Sequence, residues 1–242
     1  MKRLLDIVLA LLGLIAASPV LLPVMFLVWW QDKHSPFYIA PRMGRGERPF
    51  RMVKLRSMVI NADKSGVDST AANDRRVTAV GRFIRRYKLD ELTQLWNVLK
   101  GDMSLVGPRP NVERETRMYT AVEKRLLSVR PGITDYASIV FSDEGEILKD
   151  RADPDIAYNQ LIRPYKGQLG LFYIEHASLL LDIKLIALTA VAVVSRSRAL
   201  GGVVRDLRTR GAPARLIEVA SRAAPLEPAP PPGADHIVTE RY

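Results

Sequence analysis

From Ile7 to Trp30 the chain carries no charged residue. As a helix this run extends about 36 Å, enough to reach across a hydrocarbon core of about 30 Å, so membrane embedding is the first expectation. Ser18-Pro19 sits at its midpoint and Pro23 follows a turn later. Proline removes a backbone donor and clashes with the preceding turn, which predicts a break or bend there, with the Ser18 hydroxyl placed to bond a freed carbonyl. Lys2 and Arg3 precede the run, while Lys33, Arg42, Arg45 and Arg48 follow it. A spanning helix would put one of these basic clusters on the outer side, whereas a re-entrant hairpin keeps both in the cytoplasm, as the positive-inside tendency favours. Residues 1–32 are therefore expected as a re-entrant helix-break-helix, with a spanning helix as the alternative. A cleaved signal peptide is imitated by the basic start and Ala16-Ala17-Ser18, but the apolar run continues through Trp29 and Trp30 and Pro19 would sit at the cut.

The 242 residues allow one globular domain with appendages. Lys and Arg number 36 against 26 Asp and Glu, a formal charge of +10, which suits a partner rich in negative charge: nucleic acid, anionic lipid or phosphorylated small molecules. The absence of cysteine excludes disulfides, thiolate nucleophiles and Cys-based zinc sites, and fits a domain facing the cytoplasm. His34, His176 and His236 fall at unrelated spacings and read as ordinary surface or packing residues.

Phe37 to Ile39 and Phe50 to Val53 read as two short strands around a Gly44-Arg45-Gly46 turn. Residues 61 to 76 are polar and aperiodic, as in a loop. Helical spacing resumes at Val80, Phe83, Ile84 and Tyr87, and again at Leu92, Leu95, Trp96 and Leu99 in a helix that begins at Asp90 and stops at Gly101. A further helix is expected over Glu113 to Leu127, before the Arg130-Pro131-Gly132 turn. Leu179 to Val194 is strongly apolar but contains Asp182 and Lys184 and is short for a span. An interfacial helix whose following arginines meet anionic headgroups fits it, with a buried core helix as the alternative. Residues 33–198 are taken as the cytoplasmic catalytic domain, and 199–242 as a basic, Pro-rich flexible tail. The expected fold class is α+β, mostly helical, with one small β-hairpin and interfacial amphipathic helices.

Chemistry concentrates in Lys88 to Asn97 and Lys100 to Pro110. Asp90 is expected at a helix N-cap and Glu91 in the first turn, where unpaired N–H groups favour anions and could also hold a phosphate. Adjacent carboxylates there can bind a hard divalent cation such as Mg2+, or one of them can attack phosphorus. Plain capping is the alternative. Arg82, Arg85, Arg86 and Lys88 precede the pair, and Arg109 follows between two prolines that restrict its backbone, so its planar fork could be fixed for a phosphate oxygen, with an arginine in a rigid surface turn as the alternative.

With these residues in place, the sequence resembles the bacterial sugar transferases, also called monotopic phosphoglycosyl transferases. The likeness runs from about Lys2 to Leu188 and is carried by Lys54-Leu55-Arg56-Ser57-Met58, Leu89 to Asn97, Lys100 to Pro110, Arg130 to Thr134, the Ser-Pro break and Leu181-Asp182-Ile183-Lys184. The resemblance implies a re-entrant membrane helix, a cytoplasmic domain at the bacterial inner membrane, and an Asp-Glu dyad falling on Asp90 and Glu91. It further implies that Asp90 attacks the sugar-bearing phosphate of a UDP-sugar and expels UMP. Polyprenyl (undecaprenyl) phosphate then takes the phosphosugar from Asp90, with Mg2+ at the dyad and Glu91 assisting as a metal or proton partner. Lys54, Arg56, Arg85, Arg109 and Arg130 are the expected phosphate and substrate contacts, although Lys54 and Arg56 also read as surface charge. The sequence departs from the family after Thr134, where many members continue with glycine and then a Gln-Val and Gly-Arg stretch and this chain has Asp135-Tyr136-Ala137-Ser138-Ile139-Val140-Phe141.

The expected partners are the UDP-sugar, polyprenyl phosphate and membrane lipids, with a homo-oligomer left open. Nucleic acid is not expected, because the basic residues are not interleaved with exposed aromatics. A membrane-anchored scaffold for anionic lipid explains the hairpin and the charge but leaves the dyad unused. A magnesium-dependent phosphohydrolase would use the dyad with water as acceptor.

Overall fold

An uninterrupted helix, α1 (Lys2–Asp32), runs through both Pro19 and Pro23. The helix-break-helix expectation is corrected to this extent: Ser18-Pro19 does not divide the element. The reason is local. Pro19 leaves the Ile15 carbonyl without its usual donor, and the Ser18 hydroxyl donates to that oxygen at 2.8 Å. One face of α1, with Asp6, Ala10, Leu21, Val24 and Val28, is buried against the rest of the chain, while Leu12, Ile15, Leu22 and Trp30 lie exposed. The computed structural model describes residues 1–62 and 74–240, so most of the expected 61–76 loop lies outside the described residues.

Both ends of α1 are tied to the same body. At the start, Lys2 pairs with Asp182 at 2.5 Å, Arg3 donates to the carbonyls of Val98 and Leu99, and Asp6 accepts from the Ser104 hydroxyl and the Leu105 N–H. At the end, Asp32 takes the Arg56 guanidinium at 2.5 and 2.7 Å.

The hairpin forms as expected but longer: β1 (Phe37–Met43) pairs antiparallel with β2 (Pro49–Leu55), Phe37 opposite Leu55. Three short helices follow: α2 (Ala79–Arg86), α3 (Leu89–Leu92) and α4 (Leu95–Lys100), the last stopped by Gly101 at φ 92°. Then β3 (Ser104–Val106) pairs in parallel with β4 (Gly132–Thr134), and between them lie α5 (Glu113–Arg117) and a 3-10 segment, Glu123–Ser128. The single helix expected over 113–127 is thus split. Thr120 and Glu123 form a reciprocal capping box, each side chain accepting the other's backbone N–H at 3.0 Å, and this restarts the chain.

Beyond β4 the chain is helical: α6 (Tyr136–Val140), α7 (Glu144–Ile147), α8 (Pro154–Leu161), α9 (Arg163–His176), α10 (Leu179–Val194), α11 (Arg196–Thr209) and α12 (Ala214–Ser221). Their main core gathers Tyr136, Ile162, Leu169, Leu185, Val203 and Leu207. Two smaller clusters seat α1, one on Met52 and Val98, the other on Leu55 and Ile84.

α10 takes neither extreme. Leu181, Asp182 and Leu185 are buried, while Leu180, Ile183, Val193 and Val194 are exposed. The flexible tail expected from residue 199 is corrected: α11 and α12 bury Leu200, Val203, Leu207, Leu216 and Val219. The Pro-rich stretch after them is also held, since Tyr165 Oη donates to the Glu227 carbonyl, Ala229 N–H to Gln160, and Gln160 Nε2 to Val238.

Candidate active site

The edge of β2 carries Lys54, and the next helices are sewn to that strand by two buried polar side chains. Asn97, fully buried, donates to the Arg51 carbonyl at 2.7 Å and accepts the Val53 N–H at 2.9 Å, while Thr93 Oγ1 donates to the Val53 carbonyl at 3.2 Å. These bonds place the Asp90-Glu91 turn beside Lys54. Asp90 is not the N-cap: Lys88 holds that position in the left-handed region at φ 55°, and both acids lie inside α3. The helix expected from Asp90 to Gly101 is divided into α3 and α4. α2 approaches from the other side, where a Cβ on Gly81 would lie 1.8 Å from the Ser57 carbonyl oxygen, so only glycine permits the contact. That approach lets Arg85 Nε donate to the Ser57 hydroxyl at 3.0 Å.

Arg109 arrives from the turn after β3. Gly107 N–H donates to Thr134 O and Gly132 N–H to Pro108 O, both at 3.0 Å. A Cβ on Gly132 would meet Gly107 N at 2.1 Å, so the two glycines allow the backbones to touch. Held this way, Arg109 Nη1 donates to the Ile133 carbonyl at 3.1 Å and lies 3.0 Å from Glu91 Oε1. Asp90 is treated differently. Its Oδ1 is buried and has no hydrogen-bond partner among the described residues.

Electrostatics separate the groups. Burial pushes Glu91 upward, but Arg109, Lys88 and Lys54 outweigh it, so Glu91 titrates below the usual carboxylate value. Arg109 is raised in turn by Glu91 against the effect of burial. Burial and then Arg109 bring Lys54 down to about 8, against a partial opposing pull from Asp90 and Glu91.

Lys54, Arg85, Asp90, Glu91 and Arg109 therefore line one cleft of 1540 Å³. Arg56 reaches its wall, but its guanidinium is taken by Asp32 and, at 2.9 Å, by the Ser35 carbonyl, a positioning role. Arg130 is exposed, donates to the Gly101 carbonyl at 3.0 Å, and does not line the cleft, because it lies before β4 whereas the cleft opens at the Thr134 end. The sequence reading missed Asp135, Glu144 and Lys166. All three line the cleft. Asp135 is raised by burial although it accepts from Ser138, and Glu144 is ion-paired with Lys166. Asp135-x-x-Ser138 carries a capping signal in sequence, but nothing local joins Glu144 to Lys166.

The unpartnered Asp90 oxygen and the neighbouring Glu91 could supply two hard oxygen ligands, although no group of three or more His, Cys, Asp or Glu able to hold a metal exists among the described residues. Such a pair suits Mg2+, which keeps waters and completes its shell with substrate phosphates.

Residues 1–196 match the bacterial sugar transferase family. The exopolysaccharide production protein ExoY of Sinorhizobium fredii is 34% identical over 207 residues, covering 79% of this chain and 84% of that protein. The UDP-glucose:undecaprenyl-phosphate glucose-1-phosphate transferase of Xanthomonas campestris is 35% identical over 203 residues, 82% of this chain and 40% of its own length. The UDP-N-acetylgalactosamine-undecaprenyl-phosphate N-acetylgalactosaminephosphotransferase of Aeromonas hydrophila is 34% identical over 198 residues, 80% of this chain and 44% of its own length. This chain thus spans less than half the length of the last two.

Proposed function

The chain belongs to the bacterial sugar transferase family, and from that premise we propose that it moves a sugar 1-phosphate from a UDP-sugar to polyprenyl phosphate by way of Asp90. The observation that carries this reading is the contrast between neighbours. Glu91 is engaged by Arg109 at 3.0 Å, while the buried Asp90 Oδ1 has no partner among the described residues and lies in a cleft rich in cations. An unpartnered buried carboxylate oxygen is costly unless something else occupies it in the working state.

In the first step an Asp90 oxygen attacks the phosphorus that bears the sugar. The phosphorus–oxygen bond to UMP breaks, UMP leaves with that electron pair, and the phosphosugar remains on Asp90. In the second step a polyprenyl phosphate oxygen attacks the same phosphorus, giving the polyprenyl diphosphate sugar and freeing the carboxylate. In this reading Arg109, Lys54 and Arg85 hold phosphate oxygens, and Arg56 fixes the strand that carries Lys54. Mg2+ held by Asp90, Glu91 and the donor's phosphates would offset diphosphate charge.

The two anchored ends of α1 support a membrane placement in which both ends of the helix lie on one face of the bilayer. Lys2 and Asp32 lie at opposite ends of α1 and are both bonded to the same domain. A straight helix of about 45 Å crossing the bilayer would carry one of those ends away from it. With the exposed face of α10 at the interface, the cleft faces the cytoplasm at the depth of a lipid phosphate. The inner membrane of a bacterium is the corresponding location.

The test is UMP release from a panel of UDP-sugars by detergent-solubilised protein, with and without polyprenyl phosphate, with and without Mg2+. The reading requires turnover only with the lipid and none from Asp90→Asn. Donor breakdown in turnover amounts without lipid indicates a phosphohydrolase instead, and membrane binding with no donor turnover indicates a scaffold.

A further inference from the structure

The cleft wall formed by α6 and α7 consists of a five-residue and a four-residue helix. Helices that short do not hold their own shape, because nucleation is unfavourable and few bonds follow it. The wall's geometry must therefore come from what lies behind it, and much of that is chain beyond residue 196, where the family match ends.

Two charged side chains do this. Asp206, on α11, is buried and accepts from the Tyr136 hydroxyl, from Lys184 on α10 and from Arg210 Nε, the last at 2.9 Å. Tyr136 is the first residue of α6, so this carboxylate pins the helix at its start. Arg222 lies just past α12 in the left-handed region at φ 54°. Its Nη2 donates to Asp143 Oδ2 at 3.1 Å, and its guanidinium sits 5.7 Å from the centre of the Phe141 ring. Asp143 is the residue before α7 and lines the cleft. Arg196 holds the same carboxylate at 2.9 Å and donates to the Val140 carbonyl at 3.1 Å.

Arg222 also keeps Nε and Nη1 buried with no hydrogen-bond partner among the described residues. A positive φ and two unsatisfied donors both cost stability, and strain of this kind gathers where a side chain is held for what it positions.

We infer that the chain after residue 196 belongs to the donor-binding machinery, with Asp206 and Arg222 as positioning residues that set the α6–α7 wall for the UDP-sugar. The inference rests on the transferase reading for its substrate. The cleft lining includes Ala192 and Val193 of α10, and the wall itself adds Ala137, Ile139 and Phe141 beside the polar Asp135, Ser138 and Glu144, so the separate KM values for donor and acceptor decide which substrate the wall serves. A two-step transfer permits the two substrates to be read separately.

The test uses the full chain in detergent with Asp206→Asn, Arg222→Gln and Arg222→Lys, first by amide hydrogen exchange over residues 136–147 and then by kinetics. Expected are faster exchange in that segment with α8 unchanged, and a KM for the UDP-sugar raised about tenfold at an unchanged KM for polyprenyl phosphate, with Arg222→Lys partly restoring both. Arg222→Gln removes a partly exposed side chain and carries the test if Asp206→Asn does not fold. Unchanged exchange over 136–147 overturns the inference even if the protein turns over no UDP-sugar, an outcome that would instead count against the transferase reading. Altered exchange with an unchanged donor KM, or with both KM values moving together, overturns the link to the donor.

Discussion

Arg109 and Glu91 stand 3.0 Å apart, and the arginine's Nη1 also donates to the Ile133 carbonyl at 3.1 Å. The guanidinium is thus oriented before any substrate arrives, with its remaining donors available to the cleft. Lysine cannot reproduce this, since a single ammonium cannot keep both bonds and still present a planar edge. Arg109→Lys is expected to lower kcat/KM for the UDP-sugar by about 100-fold with little change in the melting temperature. A fall of less than about threefold would show that a point charge is enough.

Asp90 and stability pull in opposite directions. Because Oδ1 has no partner among the described residues, removing the charge sacrifices no hydrogen bond at that atom. Asp90→Asn is expected to abolish UMP release while leaving unfolding free energy unchanged or raised by up to about 1 kcal/mol, measured by urea titration of the detergent-solubilised protein. A loss of more than about 2 kcal/mol would make Asp90 a structural residue.

Lys54 gives the cleft a pH dependence. Burial and Arg109 bring it from 10.5 down to about 8. Its ammonium is present below pH 8 and lost as pH rises through that value, and with it the hold on donor phosphate proposed for it. Stability moves the other way: between pH 8 and 10.5 the unfolded chain keeps a proton that the folded chain has released, so folding becomes more favourable across that window. A pH profile of kcat/KM should fall with an alkaline limb near 8, and Lys54→Arg should displace the limb upward. A profile flat to pH 9.5 would remove Lys54 from the donor site.

The adjacent Asp90-Glu91 pair, the hairpin, the Gly101 stop and the Pro-Arg-Pro turn were visible in the sequence because each is local: a few adjacent residues contain the physics. The Thr120–Glu123 capping box was equally local, but apolar spacing on either side of it concealed the interruption. Glu144 with Lys166, and Asp206 with Tyr136, are joined only by the fold, and no spacing rule reaches that far. The C-terminal stretch misled for a related reason. Its proline content forbids helix, which reads as disorder, yet Val238 is buried and Gln160 donates to the Val238 carbonyl, contacts decided by α8 rather than by the tail. Arg56 and Arg130 show the limit of counting cations, since one is occupied by Asp32 and the other lies at the wrong end of β4.

The topology of α1 can be tested directly because the chain contains no cysteine. Leu4 and Gln31 are both exposed and lie near opposite ends of the helix. In Leu4→Cys and Gln31→Cys, a membrane-impermeant maleimide applied to sealed vesicles should reach both thiols from the cytoplasmic face alone, since both ends are bonded to one domain through Asp182 and Arg56. A spanning helix instead labels one thiol from each side. That result would require the Lys2–Asp182 or the Asp32–Arg56 pair to be broken in the membrane, leaving a buried partner uncompensated at a cost of about 3 kcal/mol. Repeating the labelling with Asp182→Asn separates the two cases: the one-sided pattern should persist, because Arg3 and Asp6 still hold the start of α1 to Val98 and Ser104.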